Sequence, residues 1–305
     1  MGALGVGVGL VTAGRRADAA ESVAPTRRPA RTIVDSQVHI WRVDLPNVMK
    51  APAHLPRPFG YEELRLLMNE AGVDRAILVP PPWDGFRDDF VLEAARKYPD
   101  RFGAISLIDF ERPRPPAALA RWREQLGLLG ARVGVPDDRA GALTDGTLDW
   151  FWKAASQYGM PVMAIASGQA VQYREVIRRY PDLILIIDHM GLTIPLVQAG
   201  HIEAAMQDVL SYARHPNVSV KLSSTADKSR EPYPFRDMAP YIRRVFEAFG
   251  PRRCYWGTDL TKTIAAGACT YRQRITHFTE ALEFLSEDDK DWVMGRAIQA
   301  RLNWA

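Results

Sequence analysis

A single (β/α)8 TIM barrel over residues 32–305 is the fold this sequence predicts, and three observations predict it. Short apolar runs alternate with amphipathic helical stretches eight times after residue 31, the order that builds parallel βαβ crossovers. A barrel of this kind forms one domain from roughly 250 residues. An open doubly wound sheet, the competing architecture, usually carries a glycine-rich phosphate turn after its first strand, and Asp44–Asn47 contains no glycine.

The first strand is Thr32–Trp41, where period-two alternation sets Asp35, Gln37, His39 and Trp41 on one face. A proline-rich loop over 44–60 leads to an amphipathic helix, Tyr61–Glu70. The second strand, Arg75–Val79, ends at Pro80-Pro81-Pro82. A helix at 88–97, the strand Phe102–Ile108, a helix at 116–127 and the strand Leu128–Val135 follow. The helix at 147–158 meets Gly159, a residue suited to a left-handed cap. Pro161–Ala166 and Leu183–Asp188 are the fifth and sixth strands, with a helix at 170–180 between them. Val218–Leu222 follows a helix at 201–214, and Cys254–Thr258 follows one at 236–249 that stops at Gly250-Pro251. Helices near 270–286 and 288–302 close the chain.

Residues 1–31 stand apart from this pattern. Met1–Ala13 is apolar and glycine-rich, and Arg15, Arg16 and Ala17-Asp18-Ala19 follow it. The stretch resembles a truncated twin-arginine export signal without its basic leader. The chain is therefore expected either in the periplasm or in the cytoplasm with a disordered tail, and residues 20–31 read as a linker.

The 305 residues carry 39 basic and 36 acidic groups, a net charge of +3. With no basic run interleaved with aromatics, nucleic acid is not an expected partner. No apolar run is long enough to span a membrane. Cys254 and Cys269 have no Cys-x-x-Cys spacing and read as unpaired thiols. The oligomeric state is not legible.

Barrels of this type present their chemistry at the C-terminal ends of the strands. Those ends here carry Gln37 and His39, Trp83 and Asp84, Arg132, Asp188 and His189, Lys221, and Asp259. Packing alone does not account for polar groups on so many strand ends. His54 lies in the long loop after the first strand. His201 and His277 on helices and His215 before Pro216 read as structural, and Trp150, Trp152, Trp292 and Trp304 as core.

Val34-Asp35-Ser36-Gln37-Val38-His39-Ile40-Trp41, Gly130-Ala131-Arg132, Ile187-Asp188-His189-Met190-Gly191, Val220-Lys221-Leu222-Ser223 and Trp256-Gly257-Thr258-Asp259 occur in an order that resembles the amidohydrolase-related branch of the amidohydrolase superfamily. That branch includes metal-dependent decarboxylases and hydratases, and lactonases such as 2-pyrone-4,6-dicarboxylate lactonase, some of which work without metal. The resemblance makes His39 the second histidine of the first-strand motif, His189 the sixth-strand histidine and Asp259 the eighth-strand aspartate. Gln37 stands where the first histidine would be, and residues 161–169 lack the fifth-strand histidine. If a metal such as zinc binds, its ligands are His39, His189 and Asp259. A neutral amide adds little to them, so the expectation is a reaction without metal.

The resulting expectation is a hydrolase of an ester-like carbonyl, above all a lactone, with a small substrate that carries a carboxylate. Asp259 is the general base for water, and His39 and His189 stabilise the oxyanion. Gln37, Arg132, Lys221, Trp41, Trp83 and His54 bind the substrate. Zinc lowers the pKa of bound water from about 15.7 to about 7. An aspartate near 3.9 faces a gap of roughly 12 units, on the order of 16 kcal/mol for full proton transfer. Proton transfer must then accompany attack on an already reactive carbonyl. Burial is expected to raise the pKa of Asp259 and help. The alternatives are a metal-dependent decarboxylase or hydrolase of the same superfamily and a non-catalytic barrel that binds a small acid.

Overall fold

The computed structural model describes residues 1–2, 30–42, 54–262, 267 and 269–304. The signal-like stretch beyond Gly2, most of the linker and Asp44–Asn47 lie outside the described residues. The chain divides into Met1–Ala30 and Arg31–Ala305, and the barrel is in the second unit.

Its strands are β1 (Val34–Val38), β2 (Arg75–Leu78), β3 (Phe102–Leu107), β4 (Leu128–Val133), β5 (Val162–Ala164), β6 (Leu185–Ile187), β7 (Val218–Ser223) and β8 (Cys254–Gly257). They form one sheet in sequential order, each parallel to the next. Just past the strand ends the sheet closes on itself. Asp259 N donates to Gln37 O at 2.9 Å, His39 N donates to Leu260 O at 3.0 Å, and Val38 bridges Leu260 in parallel.

One core fills the space between strands and helices. A second contains Val34, Ile77, Val79, Ile105, Leu129, Met163, Ile186 and Tyr255, closed off by Ala297, Ile298 and Leu302. These are the stacked layers that make such a barrel a solid rather than a pore.

The face expected for β1 is broken. Between Asp35 and Val38 the β1–β2 register shifts by one residue, a bulge that ends simple alternation. Asp35 consequently turns away from Gln37. Its carboxylate accepts from Thr258 N (2.9 Å), Thr258 Oγ1 (2.5 Å), Gln37 N (3.1 Å) and Tyr271 OH (2.8 Å), the last on the helix Tyr271–Thr276. The same carboxylate thus ties β1 to the segment that carries Asp259.

Most expected helices are present, some interrupted. The helix expected to reach 127 stops at Ala120, continues as a 3-10 turn over Trp122–Glu124, and meets Gly127 at φ 85°. The last two expected helices contain π turns, His277–Ala281 and Trp292–Arg296. Gly159 takes φ 59° after the helix Asp149–Gln157, in line with its expected role. Two short helices at the strand ends, Ile194–Gln198 and Thr225–Lys228, are too short for a periodic signal. The first has a local one, because Thr193 accepts from Leu196 N and Pro195 lies in the first turn.

Close approach fixes some small residues. A Cβ on Gly130 in β4 would stand 2.4 Å from the Pro161 carbonyl oxygen, which is backbone and cannot rotate away. Gly130→Ala is expected to cost about 1–3 kcal/mol by overpacking and to lower Tm by several degrees. A calorimetric melt indistinguishable from wild type would show that β4 and β5 separate freely there.

Candidate active site

Three consecutive strands end on residues with left-handed backbone. His189 (φ 56°), Ser224 (φ 58°) and Asp259 (φ 60°) follow β6, β7 and β8. Such conformations cost non-glycine residues of order 1–3 kcal/mol and gather at functional sites. The turns bring His189 and Asp259 to the barrel mouth, beside His39 from β1.

Asp259 is fully buried and contacted from several sides. His39 Nε2 is 3.0 Å from its Oδ1. The Lys262 ammonium is 2.6 Å from Oδ2, and His189 Nε2 is 3.8 Å from Oδ2. His39 Nδ1 lies 2.8 Å from the Val79 carbonyl, which can only accept. Nδ1 therefore carries a hydrogen, and Nε2 meets both Asp259 Oδ1 and, at 3.4 Å, the Gln37 amide nitrogen. Both His39 nitrogens are engaged.

His189 is placed differently. Its Nδ1 is 2.8 Å from Ser223 Oγ, and its Nε2 edge lines the cavity. Burial holds it well below the ordinary imidazole value despite the nearby Asp259 carboxylate. It is neutral at pH 7, and its hydrogen lies on Nε2 when the Ser223 hydroxyl donates to Nδ1.

The expected upward shift of Asp259 is overturned. Burial does push its carboxyl up, but Lys262, His189 and His39 together outweigh it and hold Asp259 well below the usual carboxylate range.

The cavity above Asp259 has a volume of about 580 Å³. Pro82, Trp83, Ile165, Leu192, Ile194 and Pro195 form its apolar wall, with Thr193 and Gln198 beside them. His39, His54, Arg132, His189, Lys228, Asp259 and Lys262 supply its charged and imidazole groups. Burial, with a contribution from His39, pushes His54 down to about 3, so it is neutral at pH 7. Its ring lies 4.8 Å from that of Trp83. Lys228 is buried, donates to the Ser224 carbonyl at 3.1 Å, and is pushed down to about 7 by burial and then by Lys262.

Three residues expected to touch substrate are not in this wall. Gln37 is fully buried, and its Oε1 accepts from Lys221 at 2.5 Å. Lys221 is equally buried, with further contacts to Asp188 Oδ1 at 3.1 Å and Met163 Sδ at 2.8 Å. Both lie beneath the cavity, because β1 and β7 direct them into the barrel axis below their strand ends. Trp41 is also fully buried and packs edge-on behind Trp83 at 5.5 Å. Arg132 does reach the wall, but its Nε donates to Asp188 Oδ2 at 2.8 Å. Sequence reasoning missed Lys228, Lys262 and Ser223. Lys262 follows Asp259 by three residues, which is the only local signal it carries.

These side chains do not fit a divalent metal as they stand. His39, His189 and Asp259 converge, but each Asp259 oxygen already has a close partner, His39 Nε2 at 3.0 Å and the Lys262 ammonium at 2.6 Å. Gln37 offers its oxygen to Lys221 where a histidine would offer nitrogen. Among the described residues no group of three or more His, Cys, Asp or Glu side chains is arranged to hold a metal.

Residues 34–299 match the family model described as Amidohydrolase. L-fucono-1,5-lactonase of Burkholderia ambifaria is 26% identical over 248 residues, 77% of this chain and 82% of that protein. 4-Sulfomuconolactone hydrolase of Hydrogenophaga intermedia is 25% identical over 211 residues, 68% of this chain and 66% of that protein. An amidohydrolase of Burkholderia multivorans, crystallised with bound zinc, superposes with a TM-score of 0.75 at 18% identity, over 90% of this chain and 100% of that one. This last is a likeness of fold.

Below the cavity, Asp188 joins Arg132 and Lys221. Burial pushes its carboxyl up, and Lys221 and Arg132 more than reverse this, to about 2. The unfolded chain takes up this proton near pH 3.9. The stabilisation is therefore complete above that pH and lost as pH falls toward 2. Lys221→Met breaks a buried pair and is expected to cost about 3–5 kcal/mol in urea unfolding at pH 7. It is also expected to move the acid-unfolding midpoint to higher pH. Unchanged values in both would mean that Lys221 does not carry the Asp188 charge.

Proposed function

As the chain belongs to the amidohydrolase family, we propose that it hydrolyses a lactone, with Asp259 as the base for water and His189 as the donor to the oxyanion. The observation that carries the reading is the convergence on Asp259 at the floor of one cavity, with His39 Nε2 at 3.0 Å and His189 Nε2 at 3.8 Å. Both curated relatives described above are named for lactone hydrolysis.

In this reading the two histidines divide the role first expected of both. His39, engaged at both nitrogens, orients Asp259, while His189 directs its Nε2 hydrogen at the carbonyl oxygen. Water adds to the carbonyl carbon as its proton passes to Asp259, and the C=O electron pair collects on oxygen. Collapse of the adduct breaks the bond to the ring oxygen, which takes the proton back from Asp259. The product is the hydroxy acid.

A carboxylate held this low is a weak base, so proton transfer and attack occur together. That favours a strained or activated ester over an amide. The Arg132 guanidinium in the lining, with Lys228 beside the same cavity, favours a lactone that bears a carboxylate. Trp83, His54 and the apolar wall would receive its ring.

A panel of neutral and carboxylate-bearing lactones, assayed by ring opening with and without a chelator, tests reaction class and metal use together. Turnover of a carboxylate-bearing lactone that persists in chelator is expected. Activity lost to chelator and restored by zinc would favour a metal-dependent hydrolase, and failure of every lactone would remove this reading. Asp259→Asn is expected to lower kcat about 10²–10⁴-fold with the thermal melt retained. Turnover near wild type would exclude Asp259 as base. His39→Ala is expected to harm kcat far more than His201→Ala at an exposed helix start. Equal losses would mean the strand-end assignment is wrong.

A further inference from the structure

We propose that Lys262 is the electrophilic cation of this site, a built-in ammonium in the place where a metal ion would otherwise be held by His39, His189 and Asp259. This rests on the lactone reading for its chemistry and on geometry alone for its position.

Lys262 Nζ is 2.6 Å from Asp259 Oδ2, the oxygen that also faces His189 Nε2 at 3.8 Å. The other oxygen faces His39 at 3.0 Å. An ammonium thus sits on the carboxylate at which the three side chains converge, and Lys262 lines the cavity. A second departure matches it. At position 37 a glutamine replaces a nitrogen ligand, and its oxygen is bound by a second ammonium, that of Lys221 at 2.5 Å. Two lysines therefore meet the groups that would otherwise surround a dication, and a dication added between them is repelled by both.

The chemistry that remains is the part a single positive charge can supply. As water adds, the carbonyl oxygen gains an electron pair, and the Lys262 ammonium and the His189 Nε2 hydrogen face that charge together. Lys262 keeps its proton throughout, because the proton of water goes to Asp259 and then to the ring oxygen. An ammonium does not activate water as zinc does, so the arrangement suits only a carbonyl that is already reactive.

The test uses the full chain purified without chelator, with zinc as the probe, and reads binding separately from turnover. Elemental analysis and calorimetric titration of wild type are expected to find no stoichiometric zinc and only weak uptake. Lys262→Met is expected to strengthen zinc binding about 100-fold or more by removing the repulsion. Gln37→His with Lys262→Met is expected to bind one zinc per chain. Wild type holding one tight zinc, or Lys262→Met binding zinc no better than wild type, would overturn the proposal whether or not any lactone is turned over. On a lactone from the panel, Lys262→Met is expected to lose about 10²–10³-fold in kcat with KM little changed, and Lys262→Arg to restore most of it. Unaltered kcat in a folded Lys262→Met variant would also overturn the proposal. Failure of the whole lactone panel would remove the proposed function and leave the zinc comparison to decide the place of the cation.

Discussion

The closure of the barrel between β1 and β8 is the constraint on which the site depends. Two backbone hydrogen bonds, from Asp259 N to Gln37 O and from His39 N to Leu260 O, join segments more than two hundred residues apart. They fix His39 and Asp259 side by side before any side-chain interaction is counted. Asp35 reinforces the seam, because its carboxylate holds Thr258 at both its backbone N–H and its hydroxyl, next to Asp259. Burial pushes the Asp35 carboxyl above its ordinary value, and its four donors offset part of that. Tyr271 extends the seam to the helix that follows β8.

Around this seam the barrel holds charge in two tiers. The lower tier is Asp188 with Arg132 and Lys221, continued into Gln37 and Met163. The upper tier is Asp259 with His39 and Lys262, and His189 a little farther off. Each tier has one carboxylate and more than one cationic or imidazole partner, so no carboxylate is left alone in a low dielectric. The excess positive charge at the mouth makes the cavity receptive to an anion. The lower tier also explains Gln37. An imidazole there would lose the neutral oxygen that Lys221 uses, and a buried ammonium needs acceptors.

The left-handed residues at the ends of β6, β7 and β8 connect this charge pattern to chain geometry. Each reverses the backbone tightly enough to bring its strand end over the barrel axis. His189 and Asp259 accept a backbone conformation that glycine would hold at lower cost. What the fold gains is two side chains directed at one point from different strands. The short helix Ile194–Gln198, capped by Thr193, covers that point with apolar groups and so keeps it partly dry.

Much of this was legible in the chain itself. The eight strands and their order follow from apolar runs and their spacing, because parallel βαβ units admit few other closures, and the meeting of His39, His189 and Asp259 was implied by the family resemblance. Three things were decided only by tertiary structure. The bulge after Asp35 broke the period-two face, since one extra residue in a strand leaves no mark in an apolar run. Gln37, Lys221 and Trp41 lie below or behind the cavity because depth along the barrel axis depends on register, which a single strand does not encode. Lys262 reaches Asp259 because the left-handed turn at Asp259 folds the chain back, and no helical or strand spacing announces a contact made by one such residue.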